Sequence, residues 1–220
     1  MAHSRYASSP CFAHELVLGE RGYEAVDRQT EIDVARWRRG ERQRLIDARL
    51  AISAAGRAKI AEKVCHALGT IVDPFSHPVV SVYWPFRGEL DLRGWMKEMS
   101  DHGARIALPV VIARNKPLVF RAWRPGCRIE RGVWNIPVPA EDERLSPEIV
   151  IAPVVGVDRE GYRLGYGGGF YDRTLASLTT KPLVIGVGHP IAEIETIFPL
   201  PHDIPMGQVL LGEKEWKPPL

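Results

Sequence analysis

One segment of the chain combines residue types that are typical of phosphate-binding sites. Residues 163–173 read RLGYGGGFYDR and follow the apolar run at 149–158. Glycines let a backbone approach an anion closely, and the first turn of a following helix directs free N–H groups at a phosphate. Arg163 and Arg173 add positive charge, and Asp172 is a candidate magnesium ligand. The segment lacks the Gly-Lys-Ser/Thr of a Walker loop, and a tight turn without a ligand is an alternative interpretation.

A second feature is a set of arginines on the first predicted helix. Arg38, Arg42 and Arg49 are offset by four and eleven positions, which places them on one helix face at about 100° per residue. Leu45 shares that face, so the face is predicted to be partly buried. These cations favour a site for a polyphosphate, although a solvent-exposed charged face is an alternative explanation of the same pattern.

The third feature is the loop that follows an apolar strand pattern at 79–84. This loop contains Trp84, Phe86 and Glu89, and loops at the carboxyl ends of parallel strands form the ligand crevice of α/β sheets. An aromatic ring beside a carboxylate suits a flat, nitrogen-rich ligand, because the carboxylate can accept two N–H bonds from such a ring. A surface loop with a capping residue is the alternative.

Near the end of the chain, His202 and Asp203 follow Pro201. Magnesium is bound through one or two carboxylates together with substrate phosphates, so Asp203 is a candidate second ligand. A His-Asp pair in a proline-rich loop is also typical of a simple turn.

Strands alternate with helices through most of the chain. Helices are predicted at 33–53, 54–68, 92–102 and 170–178, and strands at 79–84, 105–112, 118–123, 148–155, 183–187 and 209–211. This alternation is typical of an α/β protein with a mostly parallel sheet that helices cover on both faces. Residues 1–32 lack clear periodicity and are predicted to be an irregular N-terminal extension to one α/β domain at 33–220. Residues 126–147 are rich in loop signals.

Composition excludes several classes of protein. The 220 residues are 45% hydrophobic and 25% charged, with a formal net charge of +2, which indicates a globular chain and does not favour nucleic-acid or membrane binding. The three cysteines, Cys11, Cys65 and Cys127, form no C-x-x-C pair, which argues against a structural zinc site. No apolar run approaches the ~18 residues of a membrane span, and the first residues do not resemble a secretory signal. A reducing, cytoplasmic location is the expectation.

Taken in order along the chain, these features resemble the 5-formyltetrahydrofolate cyclo-ligase family over residues 33–212. The loop at 163–173 is the most specific part, and the basic helix, the strand leading to a Glu, the Trp-Asn-Ile-Pro at 134–137 and the late His-Asp follow the family's order. The resemblance implies an enzyme that uses ATP and Mg²⁺ to convert 5-formyltetrahydrofolate to 5,10-methenyltetrahydrofolate. It implies a three-layer α/β/α sandwich, as in ribose-phosphate isomerases and coenzyme A transferases, with small-molecule substrates and a monomer or weak homodimer.

The resemblance also implies a set of site residues. Arg163 and Asp172 are implied as catalytic, and Asp172 and Asp203 as magnesium ligands. The implied ATP-contacting residues are Arg38, Arg42, Arg163, Leu164, Gly165, Tyr166, Gly167, Gly168, Gly169, Phe170 and Tyr171. The implied folate-contacting residues are Trp84, Glu89, Tyr166, Gly167, Gly168, Gly169 and Phe170. An Asp172→Ala variant is then expected to lose ATP turnover while keeping its fold.

Three positions depart from the family's pattern. Arg38 stands where a lysine is usual, Phe170 where a tyrosine is commoner, and Gly207 where an aspartate is frequent. These departures leave open a cyclo-ligase-like paralogue that binds nucleotide and acts on another substrate. Two further hypotheses have less support: a nucleic-acid-binding module that uses the basic helix, and a structural protein that recruits a partner through residues 1–32.

Overall fold

Strands and helices alternate in the protein, as the sequence predicts. The computed structural model describes residues 16–19, 22–25, 28–76 and 78–219. The strands in this part of the chain are β1 (Leu16–Gly19), β2 (Gly22–Ala25), β3 (Val79–Ser81), β4 (Arg105–Val110), β5 (Val119–Trp123), β6 (Ile129–Arg131), β7 (Pro137–Pro139), β8 (Ile149–Pro153), β9 (Gly156–Val157), β10 (Arg163–Leu164), β11 (Leu183–Gly188), β12 (Gln208–Leu211) and β13 (Lys214–Trp216). The α-helices are α1 (Arg28–Leu50), α2 (Ala54–Ile71), α3 (Arg93–Asp101) and α4 (Phe170–Ser177).

The centre of the protein is a seven-stranded sheet with the strand order β13-β12-β11-β8-β3-β4-β5. The strands from β12 to β4 in this order run parallel, and β13 and β5 pair antiparallel at the two edges. The inner strands are continuous apolar runs, and Ile151 and Ile185 are fully buried, because helices cover both faces of a parallel sheet. The mostly parallel sheet that the sequence predicts is therefore confirmed.

Helices pack on both faces of this sheet. On one face, α2 and α3 pack against side chains that include Ile106 and Ile151. On the other face, α4 packs against Ala152 and Val209. Successive side chains of a strand point to opposite faces, which is why the neighbours Ile151 and Ala152 belong to different layers. The three-layer α/β/α arrangement is confirmed.

Helix α1 packs on segments that follow the carboxyl ends of two parallel strands. Leu45 and Ile46 of α1 pack in a cluster that includes Val155, just after β8, and Ile194, in the segment that follows β11. Ligand crevices of α/β sheets lie at the carboxyl ends of the strands. This packing therefore brings the arginines of α1 to the end of the sheet where a ligand site is expected.

Regular structure begins earlier in the chain than the sequence predicts. Helix α1 begins at Arg28 rather than near Asp33, and β1 and β2 form a hairpin in which Leu16 pairs with Ala25. The described part of the segment 1–32, expected to be irregular, thus contains regular elements. Four-residue strands give too short a pattern for sequence periodicity to detect. The Ser8–Phe12 stretch lies outside the described residues.

The other predicted elements occur close to their expected bounds. Ser53 separates the first two helices, and its side chain accepts the Gly56 N–H at 3.1 Å and so caps α2. Strands β6, β7, β9, β10 and β13 are not predicted, because runs of two or three residues show no alternation. No helix in the described part of the chain is long and apolar enough to cross a membrane.

Candidate functional site

The glycine-rich segment forms the loop between β10 and α4. Gly167 has a φ of 89°, and Gly169, which caps the N-terminus of α4, has a φ of 59°; both conformations favour glycine. A Cβ atom on Gly168 would lie 2.6 Å from the Phe170 ring, whereas the space around Gly165 is open. The structure therefore has the strand, glycine loop and helix in the predicted order.

Arg42 of α1 lies against this glycine loop. Its Nε donates a hydrogen bond to the Gly165 carbonyl, and a Cβ atom on Gly167 would lie 3.3 Å from the Arg42 Cζ. Burial lowers the pKa of Arg42, and the charges of Arg38 and Arg39 lower it further. Among the residues that the structure describes, no carboxylate forms an ion pair with Arg42. Arg42 thus presents an uncompensated positive charge beside open backbone groups, an arrangement that favours an anion.

Arg38, which the family resemblance assigns to ATP, bonds instead to the segment 197–203. Its Nε donates to the Ile197 carbonyl at 2.9 Å, and its Nη2 donates to the Phe198 carbonyl at 2.6 Å. The same Nη2 lies 2.7 Å from the Asp203 Oδ2. These contacts occupy the guanidinium, so Arg38 ties α1 to the segment 197–203 in this structure.

Arg163 and Asp172, the predicted catalytic residues, form an ion pair at 2.7 Å. The Arg163 side chain is 3% exposed and that of Asp172 is 17% exposed. Arg163 Nη1 also donates to the Ile204 carbonyl at 3.1 Å, and Asp172 Oδ1 accepts the Ile204 N–H at 3.2 Å. The pair therefore joins β10, α4 and the segment at Ile204, and removal of either partner leaves a buried charge uncompensated.

The two predicted magnesium ligands lie in separate ion pairs. Asp172 pairs with Arg163. Asp203 pairs with Arg38, and its carboxylate also accepts the Leu200 N–H at 2.7 Å. Within the described ranges, no three His, Cys, Asp or Glu residues are grouped as a metal ion requires. Magnesium binding by the two aspartates stays a prediction, since an ion carried by ATP phosphates needs few protein ligands.

Glu89 is buried next to the glycine loop. Its Oε2 accepts the Phe86 N–H at 2.8 Å, and its Oε1 accepts the Tyr166 hydroxyl at 3.0 Å. The Tyr166 oxygen in turn accepts a hydrogen bond from Arg49 Nη2 at 2.6 Å. Burial raises the pKa of Glu89 to about 7, against the opposing effects of the Arg49 charge and the two hydrogen bonds. One cluster thus contains residues of the predicted folate segment and of the predicted nucleotide loop.

Two predicted ATP-contacting residues pack into the core. The Leu164 side chain is 2% exposed and packs with Leu45 and other residues of α1. The Tyr171 ring packs beside Phe120, and the Arg163 guanidinium lies 5.4 Å from its centre. The side chains of Leu164 and Tyr171 therefore support the glycine loop from within.

The surroundings of two tryptophans differ from what the sequence-based assignment of site residues suggests. Trp84 packs against the core on the α2 and α3 side, and the Arg93 guanidinium lies 5.2 Å from its ring; its described contacts do not include the glycine loop. Trp134, which has no assigned role in the sequence-based site, is 57% exposed and has a φ of 54°. Its ring lies 5.7 Å from the Phe170 ring, beside the loop. The Trp-Asn-Ile-Pro motif is the signal that could have identified it.

His189, which the sequence analysis does not single out, is buried at the same end of the sheet. It follows β11 directly, is 2% exposed, and has its Nε2 2.9 Å from the Gly88 carbonyl. The sequence signal for His189 is its position just after a buried parallel strand.

Glu89 also lines a cavity of about 700 Å³ between α2 and the segment 89–95.

Comparisons with known proteins point to one family. The model of the 5-formyltetrahydrofolate cyclo-ligase family matches residues 34–212. The chain is 34% identical over 149 residues to the 5-formyltetrahydrofolate cyclo-ligase of Escherichia coli strain K12, which covers 63% of this chain and 80% of the relative. It is 28% identical over 155 residues to the enzyme of that name from Haemophilus influenzae, covering 67% and 82%.

A similar solved structure points to the same family. The structure of Aquifex aeolicus 5,10-methenyltetrahydrofolate synthetase superimposes with a TM-score of 0.71 at 27% identity, over 82% of this chain and 92% of the other. The match of the family model covers most of the sequence and includes the glycine loop, Glu89 and Arg42. The chain therefore belongs to the 5-formyltetrahydrofolate cyclo-ligase family, whose members are ligases.

Proposed function

We propose that this chain uses ATP to convert 5-formyltetrahydrofolate to 5,10-methenyltetrahydrofolate, with release of ADP and phosphate. Family membership supports the reaction class. The observation that carries the proposal is the 3.0 Å hydrogen bond from the Tyr166 hydroxyl, in the glycine loop, to the Glu89 carboxylate. This bond supports a phosphate site and a folate site that are neighbours, as direct phosphoryl transfer between two bound substrates requires.

The chemistry follows from the substrate. The formyl group on nitrogen 5 is an amide, so its oxygen is a poor leaving group. Attack of this oxygen on the γ-phosphorus of ATP releases ADP and gives an iminium phosphate. Nitrogen 10 then attacks the formyl carbon, loses its proton and expels inorganic phosphate, which closes the ring. No protein nucleophile is needed, because phosphoryl transfer depends mainly on positioning and charge neutralisation.

We assign the ATP phosphates to the glycine loop, the N-terminus of α4 and Arg42. Free N–H groups and the helix dipole attract anions, and Arg42 supplies a positive charge at Gly167. We propose that the Glu89 carboxylate accepts hydrogen bonds from the N–H groups of the pterin ring. Arg163 and Asp172 remain the predicted catalytic residues, and their buried pair also fixes the strand before the loop and the helix after it.

Magnesium and the remaining family properties are part of the same proposal. Magnesium held with the ATP phosphates would neutralise part of their negative charge. Asp172 and Asp203 remain its predicted ligands, and each is paired with an arginine in this structure. Small-molecule substrates, a cytoplasmic location and a monomer or weak homodimer are proposed on the ground of family membership.

The direct test is an assay with purified protein, 5-formyltetrahydrofolate, ATP and magnesium. The expected result is a rise in near-ultraviolet absorbance from the methenyl product that depends on ATP and disappears when EDTA removes magnesium. Folded protein that binds ATP and gives no such rise would show that the nucleotide loop is functional and the folate assignment is wrong.

The paralogue hypothesis depends partly on Gly207, and the structure gives this position local contacts only. The Gly207 N–H donates to the Val184 carbonyl at 2.9 Å, and a Cβ atom there would lie 3.2 Å from Leu183 Cδ1. Neither contact involves Glu89 or the glycine loop. Calorimetry separates the two hypotheses, since a paralogue binds ATP without binding 5-formyltetrahydrofolate.

Gly167→Ala should weaken ATP binding about tenfold. An L-residue at positive φ costs ~1–2 kcal/mol, so the free loop relaxes away from this conformation and ATP must restore it, and the added methyl group also crowds Arg42. The matched control is Gly40→Ala in α1, where no atom lies within 4 Å of the added Cβ. Calorimetric titration with ATP is the measurement. Equal affinities for the two variants would contradict the assignment of the phosphates to this loop.

A further inference from the structure

The loop that carries Glu89 makes a turn through two successive left-handed residues. Arg87 has a φ of 48° and Gly88 a φ of 78°, and the turn is closed by a 3.1 Å bond from the Glu89 N–H to the Phe86 carbonyl. Glycine adopts such a φ freely, whereas an arginine there is strained. Strained backbone persists only where surrounding groups hold it.

Two buried side chains from distant elements hold this turn. Arg49, near the end of α1, donates from Nε to the Arg87 carbonyl at 3.0 Å. His189, just after β11, has its Nε2 2.9 Å from the Gly88 carbonyl. The two side chains are 4% and 2% exposed, respectively. A carbonyl can only accept, so Nε2 of His189 carries the proton, and burial lowers the pKa of His189 to about 4, which keeps the ring neutral.

Arg49 also reaches the other end of the Glu89 side chain. Its Nη2 donates to the Tyr166 oxygen at 2.6 Å, and that hydroxyl donates to Glu89 Oε1 at 3.0 Å. One guanidinium therefore fixes both the backbone before Glu89 and the hydroxyl that orients its carboxylate. The planar fork of arginine can do this, and the single ammonium of lysine cannot.

Arg49 is also the cation that acts on the Glu89 charge. Glu89 faces Arg49 from α1, Tyr166 from the glycine loop, Tyr171 from α4 and Tyr83 from the segment after β3. Burial raises the pKa of the three tyrosines, so they stay neutral when Glu89 titrates. Loss of the Arg49 charge is therefore expected to raise the pKa of Glu89.

We propose that Arg49 and His189 are positioning residues that hold the turn at Phe86–Glu89 and aim the Glu89 carboxylate at the pterin. Neither side chain touches the substrate in this proposal; each acts through the loop. The inference rests on the proposed function, because Glu89 is the residue assigned to the pterin. It adds two residues to the folate site that lie 38 and 101 positions from their loop partners in the sequence.

The experiment compares two pairs of variants in the full chain. Arg49→Met removes both the guanidinium donors and the positive charge, whereas Arg49→Lys removes the guanidinium and keeps a positive charge. His189→Leu removes the donor to Gly88, whereas His189→Gln keeps an N–H near the same place. For each variant, the KM for the folate substrate, the KM for ATP, the pH profile and the amide hydrogen exchange of residues 84–90 are measured.

The expected results differ among the four variants. In Arg49→Met, Arg49→Lys and His189→Leu, the KM for the folate substrate rises about tenfold, as for a lost buried hydrogen bond, while the KM for ATP changes much less. His189→Gln largely restores the wild-type KM. The acidic limb of the pH profile of kcat/KM is expected near pH 7 in the wild type, where Glu89 titrates. This limb moves to higher pH in Arg49→Met and stays in place in Arg49→Lys. Exchange of residues 84–90 accelerates in all but His189→Gln.

Other outcomes would overturn the proposal. Equal increases in both KM values, or faster exchange spread over the whole chain, would show a general structural role for these residues. Unchanged exchange at residues 84–90 would show that they do not hold the turn. Absence of folate turnover and folate binding in the wild type would instead reject the proposed function, and the exchange data alone would then decide whether Arg49 and His189 position Glu89.

Discussion

Asp172→Ala should unfold at a temperature roughly 10 °C below the wild type and should lose ATP-dependent turnover. The substitution leaves the Arg163 guanidinium, whose side chain is 3% exposed, without its 2.7 Å partner. Breaking a buried ion pair from one side costs ~3–5 kcal/mol, and each kcal/mol shifts Tm by about 2–4 °C for a chain of this size. The Ile204 N–H also loses its acceptor. The sequence-based expectation that this variant keeps its fold stays a prediction, to which the structure adds a lower Tm.

The matched control is Asp172→Asn, which keeps an oxygen for both Arg163 and the Ile204 N–H. Its Tm should fall by clearly less than that of the alanine variant, because its neutral amide still satisfies both donors. Thermal unfolding followed by circular dichroism, with the methenyl absorbance assay alongside, measures both properties. An alanine variant with the wild-type Tm would show that the pair contributes no stability, and normal turnover in the same variant would reject a role for Asp172 in the reaction.

Glu89→Gln should stabilise the protein at pH 8 and weaken its binding of 5-formyltetrahydrofolate. Burial raises the pKa of Glu89 from 4.5 to about 7. Between these two pH values, the folded state therefore keeps a proton that the unfolded state has lost. Stability therefore falls as the pH rises through this window, and the loss is complete above pH 7. Glutamine has nearly the same shape without the charge, but its NH₂ group replaces one of the two oxygens that accept the Phe86 N–H and the Tyr166 hydroxyl. We therefore expect a gain on the order of 2 kcal/mol at pH 8, smaller than the pKa shift alone would give.

The pH dependence distinguishes this effect from a general change in stability. At pH 4.5 the carboxyl is protonated in the folded state, so the glutamine variant should gain little over the wild type. Glu62→Gln, at an exposed position lining the same cavity as Glu89, is the control and should show no gain at either pH. A Glu89→Gln variant that is no more stable than the wild type at pH 8, or that binds 5-formyltetrahydrofolate equally well, would contradict the buried, substrate-binding carboxylate described above.

Features that depend on residues close together in the sequence could be predicted from the sequence alone. The apolar runs at β4, β8 and β11 and the glycines between β10 and α4 are local patterns, so they indicate the α/β class and the strand–loop–helix order. The four-residue spacing of Arg38 and Arg42 likewise places both on one face of α1. The strand that leads to Glu89 was predictable for the same reason.

The partner that each of these side chains meets depends on the tertiary structure. Arg38 bonds to the segment 197–203, whereas Arg42, on the same face one turn later, bonds to Gly165. Arg49 bonds to Tyr166, 117 positions away. A helical repeat specifies the direction of a side chain but not the element packed there, and that element is set by the strand order of the sheet. The burial that raises the pKa of Glu89 has the same origin, because it comes from elements that are distant in the chain and adjacent in the fold.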